Sequence, residues 1–235
     1  MDLYTRIATA LEALAPSGLA RGSASKHDRR VGIKTLAVRR LAKQFSGEFR
    51  SQAWDDQVRV VQHLLNDGSY EAAHLGVFLL GLAIDCVDFV DAKALDSIVG
   101  AFRGWSVTDA FCIEVLQPLF TRFTSDVLSL IAGWAEDKNL WKRRASVVVF
   151  VRKIGASGRY TSDGLHACDR LMADSEDLVR KAVGWALKDL MRGDRQRVLE
   201  YVADLRKRGV PSVITLYALR DVQGVERQRI LAIGT

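Results

Sequence analysis

Trp105-Ser-Val-Thr-Asp109-Ala110, Trp141-Lys-Arg-Arg144-Ala145 and Arg180-Lys181-Ala182-Val-Gly-Trp185 read as three variants of one segment. Ala73 falls in the same register. Ala73, Ala110, Ala145 and Ala182 are 37, 35 and 37 residues apart. Recurrence at this interval is the mark of stacked helical repeats, in which one supersecondary unit is copied along the chain. The residues just before the last three alanines are Asp109, Arg144 and Lys181, and a tryptophan lies within one helical turn of each. Residues three or four apart share a helix face, as Trp105 and Asp109, Trp141 and Arg144, and Lys181 and Trp185 do. The register therefore predicts equivalent helices that present a carboxylate, two cations and three indoles toward one shared surface.

Outward from this segment, helical periodicity dominates and no convincing alternating strand is found. Helices are expected over Leu3–Leu14, Lys34–Phe49, Ala53–Leu65, Tyr70–Cys86, Asp91–Phe102, Trp105–Phe120, Ser125–Glu136, Leu140–Ile154, Ser162–Ala173, Asp177–Met191, Asp194–Lys207 and Val213–Asp221. Pro16 ends the first, and Asn139 can cap the helix that begins at Leu140. A connection through Gly18, Gly22 and Ser25 follows the first helix. These helices form about twelve antiparallel partners, the pattern of an all-α fold, an α-solenoid of HEAT-like repeats. One unit cannot bury its own apolar face, so neighbours must stack, and stacking with a small rotation makes a concave face. No linker rich in Pro, Gly or Ser divides the chain, which predicts a single domain over residues 1–235.

Charge narrows the function. The 235 residues carry 34 Lys and Arg against 28 Asp and Glu, a net charge of +6. The excess is clustered: seven basic residues and no acid lie between Lys138 and Arg159, and seven lie between Lys26 and Lys43 against the single Asp28. A polyanion partner fits this distribution. Cys86, Cys112 and Cys168 form no CxxC pair, and His27, His63, His74 and His166 show no zinc spacing. No metal or cofactor is expected, and each histidine reads as a surface or packing residue. The amino terminus is an amphipathic helix with charges inside it, not a signal peptide. No apolar run reaches the roughly 20 residues of a membrane span. A cytoplasmic protein, monomeric and working on nucleoid DNA, is the expectation.

The quoted segments carry a resemblance. Trp105-Ser-Val-Thr-Asp109, Trp141-Lys-Arg-Arg144-Ala145 and Arg180-Lys-Ala-Val-Gly-Trp185 resemble the AlkD-like DNA alkylation repair glycosylases. Val31-Gly-Ile33-Lys34-Thr35 with Arg39-Arg40 is similar to that family's amino-terminal signature. The likeness runs from about Ser23 to Glu200. It implies a concave basic face that holds duplex DNA, and excision of cationic bases such as 3-methyladenine and 7-methylguanine. It implies that Asp109 is the catalytic carboxylate, that Trp105 and Trp185 contact the deoxyribose, and that Arg144 holds the backbone. It also implies that the damaged base need not be flipped into a pocket, unlike the usual scheme. The chain departs from the family pattern near Ser23, where an aromatic is common. It departs again at Ser212–Leu216, where basic residues are usual.

The chemistry agrees with those residue types. Alkylation at a ring nitrogen leaves the purine positively charged, so it departs as a neutral base and needs no general acid. The sugar then gains oxocarbenium character, as in glycoside hydrolysis. A carboxylate at about 4 Å in an effective dielectric near 20 stabilises it by roughly 4 kcal/mol, a rate factor of nearly a thousand. Indole faces beside the sugar add cation–π stabilisation of about 1 kcal/mol, and Asp109 can also orient the attacking water. Lys142, Arg143, Arg144, Lys181, Arg152, Lys153, Lys34, Arg39 and Arg40 are the cations expected to meet phosphates. Two other functions fit the same fold: a noncatalytic HEAT-repeat binder of damaged or branched DNA, and a protein-binding scaffold.

Overall fold

The computed structural model describes residues 1–16 and 29–233. The connection through Gly18, Gly22 and Ser25, together with Ser23, Lys26 and His27, lies outside the described residues. Among those described, the architecture is all-helical, and the one extended pairing is an isolated bridge between Arg29 and Ser69. It is the helical-repeat class that the periodicity predicts. The chain divides into two compact units, Met1–Val127 and Leu128–Thr235.

In the first unit, α1 (Leu3–Glu12) starts where the Asp2 carboxylate accepts the Thr5 amide at 2.7 Å. Next come α2 (Thr35–Arg50), α3 (Trp54–Asn66) and α4 (Tyr70–Ala83). Every residue of α4 from Glu71 to Leu80 is buried. A helix apolar on all sides has to be enclosed by its neighbours, and α2, α3 and α6 pack on it. Ser69 caps α4, its hydroxyl accepting the Ala72 amide at 3.2 Å. The buried Glu71 carboxylate accepts two amides of the preceding chain, Val31 at 3.0 Å and Gly32 at 2.9 Å. That pins the segment leading into α2. A 3-10 turn over Ile84–Cys86 leads to α5 (Ala92–Gly100), which Asp91 caps.

The periodicity predicts one helix over Trp105–Phe120. The structure breaks it into α6 (Trp105–Phe111), a π turn over Cys112–Leu116 and α7 (Gln117–Arg122). Pro118 supplies the reason. It has no amide to donate, and in an α-helix its ring would press on the carbonyl of Glu114. The wider π turn relieves both. Gly81 of α4 makes room, since a β carbon there would sit 2.8 Å from Glu114 Cβ and 3.0 Å from its carbonyl oxygen.

Helix α8 (Thr124–Trp134) carries the boundary into the second unit. There follow α9 (Leu140–Val148), α10 (Lys153–Ala156), α11 (Thr161–Asp169), α12 (Asp177–Gly193), α13 (Arg195–Lys207), α14 (Ser212–Ala218) and α15 (Gly224–Leu231). α12 is the spine of this unit, packed by α9, α10, α11, α13 and α14. It approaches α14 through Gly184, where a β carbon would fall 2.6 Å from Tyr217 Cβ and 2.7 Å from the Ile214 carbonyl oxygen.

The helix expected over Leu140–Ile154 also breaks. It ends after Val148, and Arg152 takes φ 55° and ψ −124° before α10 begins. Val147, Val148, Val149 and Val151 are poor at sustaining a helix. A distant carboxylate completes the break: buried Asp189 of α12 accepts the Arg152 amide at 2.7 Å. Arg152 is the one non-glycine residue with positive φ among those described. Strain of this kind costs on the order of 1–3 kcal/mol. Arg152→Gly keeps the amide bond to Asp189 and removes the strain. It is expected to raise the unfolding free energy by about 1 kcal/mol in urea titrations.

Candidate active site

In the first unit the site begins at α6. Trp105 is its first residue, with 52% of its surface exposed. Asp109 lies one turn on and is only 7% exposed, among buried Val107, Thr108 and Phe111. The sequence register placed both on one face, and the structure gives an exposed indole above a buried carboxylate. The N-cap of α6 is Gly104, which offers no side chain to the first-turn amides.

What ties down this turn was not read from the sequence. The Ser106 hydroxyl lies 3.1 Å from the Tyr70 hydroxyl and 3.0 Å from His74 Nε2. His74 Nδ1 lies 2.8 Å from the Tyr70 carbonyl oxygen. His74 therefore belongs to this turn, a role beyond the surface or packing residue that its sequence context predicts. Tyr70, His74 and Phe78 recur every four residues along α4. Their rings form a ladder, with centroids 3.9 Å apart between Tyr70 and His74 and 5.9 Å apart between His74 and Phe78. An arginine covers each end, Arg30 at 4.0 Å from the Tyr70 ring and Arg39 at 3.9 Å from the Phe78 ring.

The amino-terminal cations differ in their freedom. Lys34 and Arg40 are exposed. Arg39 is paired with Glu114 at 2.6 Å, so its charge is already matched within the unit.

In the second unit, Asn139 caps α9 as the sequence predicts, its side chain accepting the Trp141 amide at 2.8 Å. One expectation for this segment changes, the outward indole of Trp141. Trp141 is 6% exposed and belongs to the core, so it presents no indole outward. Arg144 is 5% exposed and donates to the Leu178 carbonyl in the first turn of α12. Arg143 is spent internally. Its Nε lies 2.6 Å from Asp174 Oδ2, and Nη1 donates to the Asp137 and Lys138 carbonyls, each at 2.9 Å. Lys142 Nζ pairs with Asp137 Oδ2 at 3.0 Å. Asp137 also accepts the Asn139 amide at 2.7 Å. That bond, then Lys142, holds its carboxyl below the usual carboxylate range. Lys142 and Arg143 are thus turned toward carboxylates rather than outward, because Asp137 and Asp174 lie within reach of α9.

On α12, Trp185 is half-buried and Lys181 is exposed. Lys181 borders an open cleft of about 270 Å³ with Ser212, Val213, Leu216, Tyr217 and Arg220. Arg220 stacks on Tyr217 at 3.7 Å, so the last helices carry one cation on an aromatic ring where the sequence showed few basic residues. Among the described residues no cluster of three or more His, Cys, Asp or Glu is placed to hold a metal. No helix among them is long and apolar enough to cross a membrane.

The chain and its fold match a known class. The family model for the DNA alkylation repair enzyme matches residues 7–222. The chain belongs to that family, and its substrate class is therefore DNA and its role DNA repair. A solved structure from Enterococcus faecalis, described as a predicted DNA alkylation repair enzyme, shares the fold. Its TM-score is 0.71 at 14% identity, over 84% of this chain and 90% of that one. A second, smu.31 from Streptococcus mutans UA159, has a TM-score of 0.48 at 18% identity, over 85% of this chain and 96% of that one. No curated protein compared with the chain matches it.

The internal pairing of Arg143 has a measurable consequence. Arg143→Ala removes the ion pair to the Asp174 carboxylate, which keeps the Glu176 amide at 2.8 Å, and is expected to cost about 2 kcal/mol. Lys181→Ala, on an exposed side chain, is expected to change stability by less than about 0.5 kcal/mol. Urea unfolding of the two variants side by side checks this.

Proposed function

We propose that the protein is a DNA glycosylase that removes positively charged N-alkylated purines from duplex DNA without flipping the base. 3-Methyladenine and 7-methylguanine are the first candidates, and bulkier adducts suit an enzyme that does not enclose the base. The observation that carries this reading is Asp109: a carboxylate 7% exposed, one turn below an exposed indole, in a chain of the DNA alkylation repair enzyme family.

The chemistry follows from charge. The glycosidic electron pair leaves with the purine, which becomes neutral without a proton donor. Positive charge develops on C1′ and the ring oxygen. Asp109 meets it from a largely buried position, where a fixed charge acts more strongly than in bulk water. Trp105 offers its π face to the same cation. Water then bonds to C1′ and gives its proton to Asp109 or to solvent. Trp185 is proposed as a second deoxyribose contact and Arg144 as a backbone contact, its guanidinium already oriented by the Leu178 carbonyl. Phosphates are proposed to meet the exposed Lys34, Arg40 and Lys181, while Lys142, Arg143 and Arg39 serve mainly the fold. The enzyme is proposed to act as a monomer, with no cofactor.

The test is release of free base from a duplex containing one 7-methylguanine, by wild type and by Asp109→Asn. Wild type is expected to release it, and the variant to be slower by about a hundredfold or more, since a neutral amide loses the Coulombic term. An Asp109→Asn enzyme as fast as wild type would remove the carboxylate from the mechanism. DNA binding without release by either would favour the noncatalytic binder.

A further inference from the structure

A short helix that presents two functional side chains needs something to fix it. α6 has no side-chain cap at its start, because its N-cap is Gly104. Its far end runs directly into the π turn, where the regular hydrogen-bond ladder stops. Neither end supplies the order that an aimed carboxylate requires. A tie comes from α4, through Ser106, the neighbour of Trp105 and one turn before Asp109.

One of these hydrogen bonds has its direction fixed by its acceptor. A carbonyl can only accept, so His74 Nδ1 carries the proton and donates to the Tyr70 carbonyl at 2.8 Å. With Nδ1 alone protonated, Nε2 is the acceptor and the Ser106 hydroxyl donates to it at 3.0 Å. The Ser106 oxygen is left to accept from the Tyr70 hydroxyl at 3.1 Å. Tyr70, Ser106 and His74 thus form a chain in which each hydroxyl has one partner to donate to. His74 is 3% exposed and rests on the Tyr70 ring with centroids 3.9 Å apart, so it cannot swing away. It stands on the helix that is enclosed by its neighbours throughout the unit.

We infer that His74 is a positioning residue for excision: acting through Ser106, it fixes the first turn of α6 and so the aim of Trp105 and Asp109. This rests on the proposed glycosylase function. It predicts a defect in the chemical step rather than in DNA affinity, because neither His74 nor Ser106 needs to touch the duplex.

The experiment compares wild type, His74→Phe, His74→Gln, Ser106→Ala and the His74→Phe/Ser106→Ala double variant. Single-turnover release of 7-methylguanine is measured at saturating enzyme, and affinity for the same duplex by fluorescence anisotropy. His74→Phe keeps the ring ladder but cannot accept from Ser106. Its release rate is expected to fall about tenfold or more, as small misplacements of reacting groups do, with affinity within about twofold. Ser106→Ala, which also loses the Tyr70 hydroxyl contact, is expected to lose at least as much, and the double variant much less than the two losses combined, since both changes cut the Ser106–His74 bond. His74→Gln, whose amide oxygen can accept from Ser106, is expected to recover most of the rate.

A wild-type rate in His74→Phe, additive losses in the double variant, or a loss confined to affinity would each overturn the inference. If wild type releases no base, the glycosylase reading fails first. The tie is then decided by amide hydrogen exchange over residues 105–111. Faster exchange there in Ser106→Ala, with the rest of the first unit unchanged, supports the tie, and unchanged exchange refutes it.

Discussion

Burying a carboxylate in a protein is costly unless the surroundings compensate it, and Asp109 is buried beside Val107, Thr108 and Phe111. The organisation of the first unit follows from keeping that group where it is. α6 is short, begins without a cap and ends at a π turn that Pro118 imposes. Such a segment has little order of its own. Its place is set by α4, which is enclosed by its neighbours and meets α6 through Tyr70, His74 and Ser106. Gly81 admits the π turn against the same helix, and Glu71 on α4 anchors the chain that leads to Lys34 and α2. One enclosed helix therefore positions the proposed catalytic carboxylate, the indole beside it and the segment that leads to the exposed Lys34.

The second unit solves a comparable problem with α12. That helix orients Arg144 through the Leu178 carbonyl, carries Lys181 and Trp185, and holds the strained Arg152 turn through Asp189. Its close approach to α14 depends on Gly184 lacking a side chain. Part of the basic charge that marks this region in the sequence is consumed in building it, as Lys142 and Arg143 are paired with Asp137 and Asp174. Net charge along a segment is thus a poor count of the cations left for a polyanion.

The helices and their register were legible because they rest on local periodicity and on caps such as Asn139. The pairing of Trp105 with Asp109 on one face was legible for the same reason. Burial was not: the rule that gave Trp105 and Trp141 equivalent places cannot say that one is exposed and the other sits in the core. The breaks at Cys112 and Arg152 needed tertiary information. Pro118 was visible, but the room for a π turn depends on Gly81, and the Arg152 turn depends on Asp189, in a different repeat. His74 was passed over because its partner Ser106 lies in the next repeat, beyond any local pattern.

The central claim is that the positive charge of the damaged base drives its departure, with a buried carboxylate in place of a general acid. The most direct test is a side-by-side measurement of base release from two duplexes identical except for one residue, 7-methylguanine in one and hypoxanthine in the other, at saturating enzyme across neutral pH. The account predicts release of the cationic base and none of the neutral one. Release of hypoxanthine at a comparable rate would require a proton donor that this account does not contain, and would contradict it.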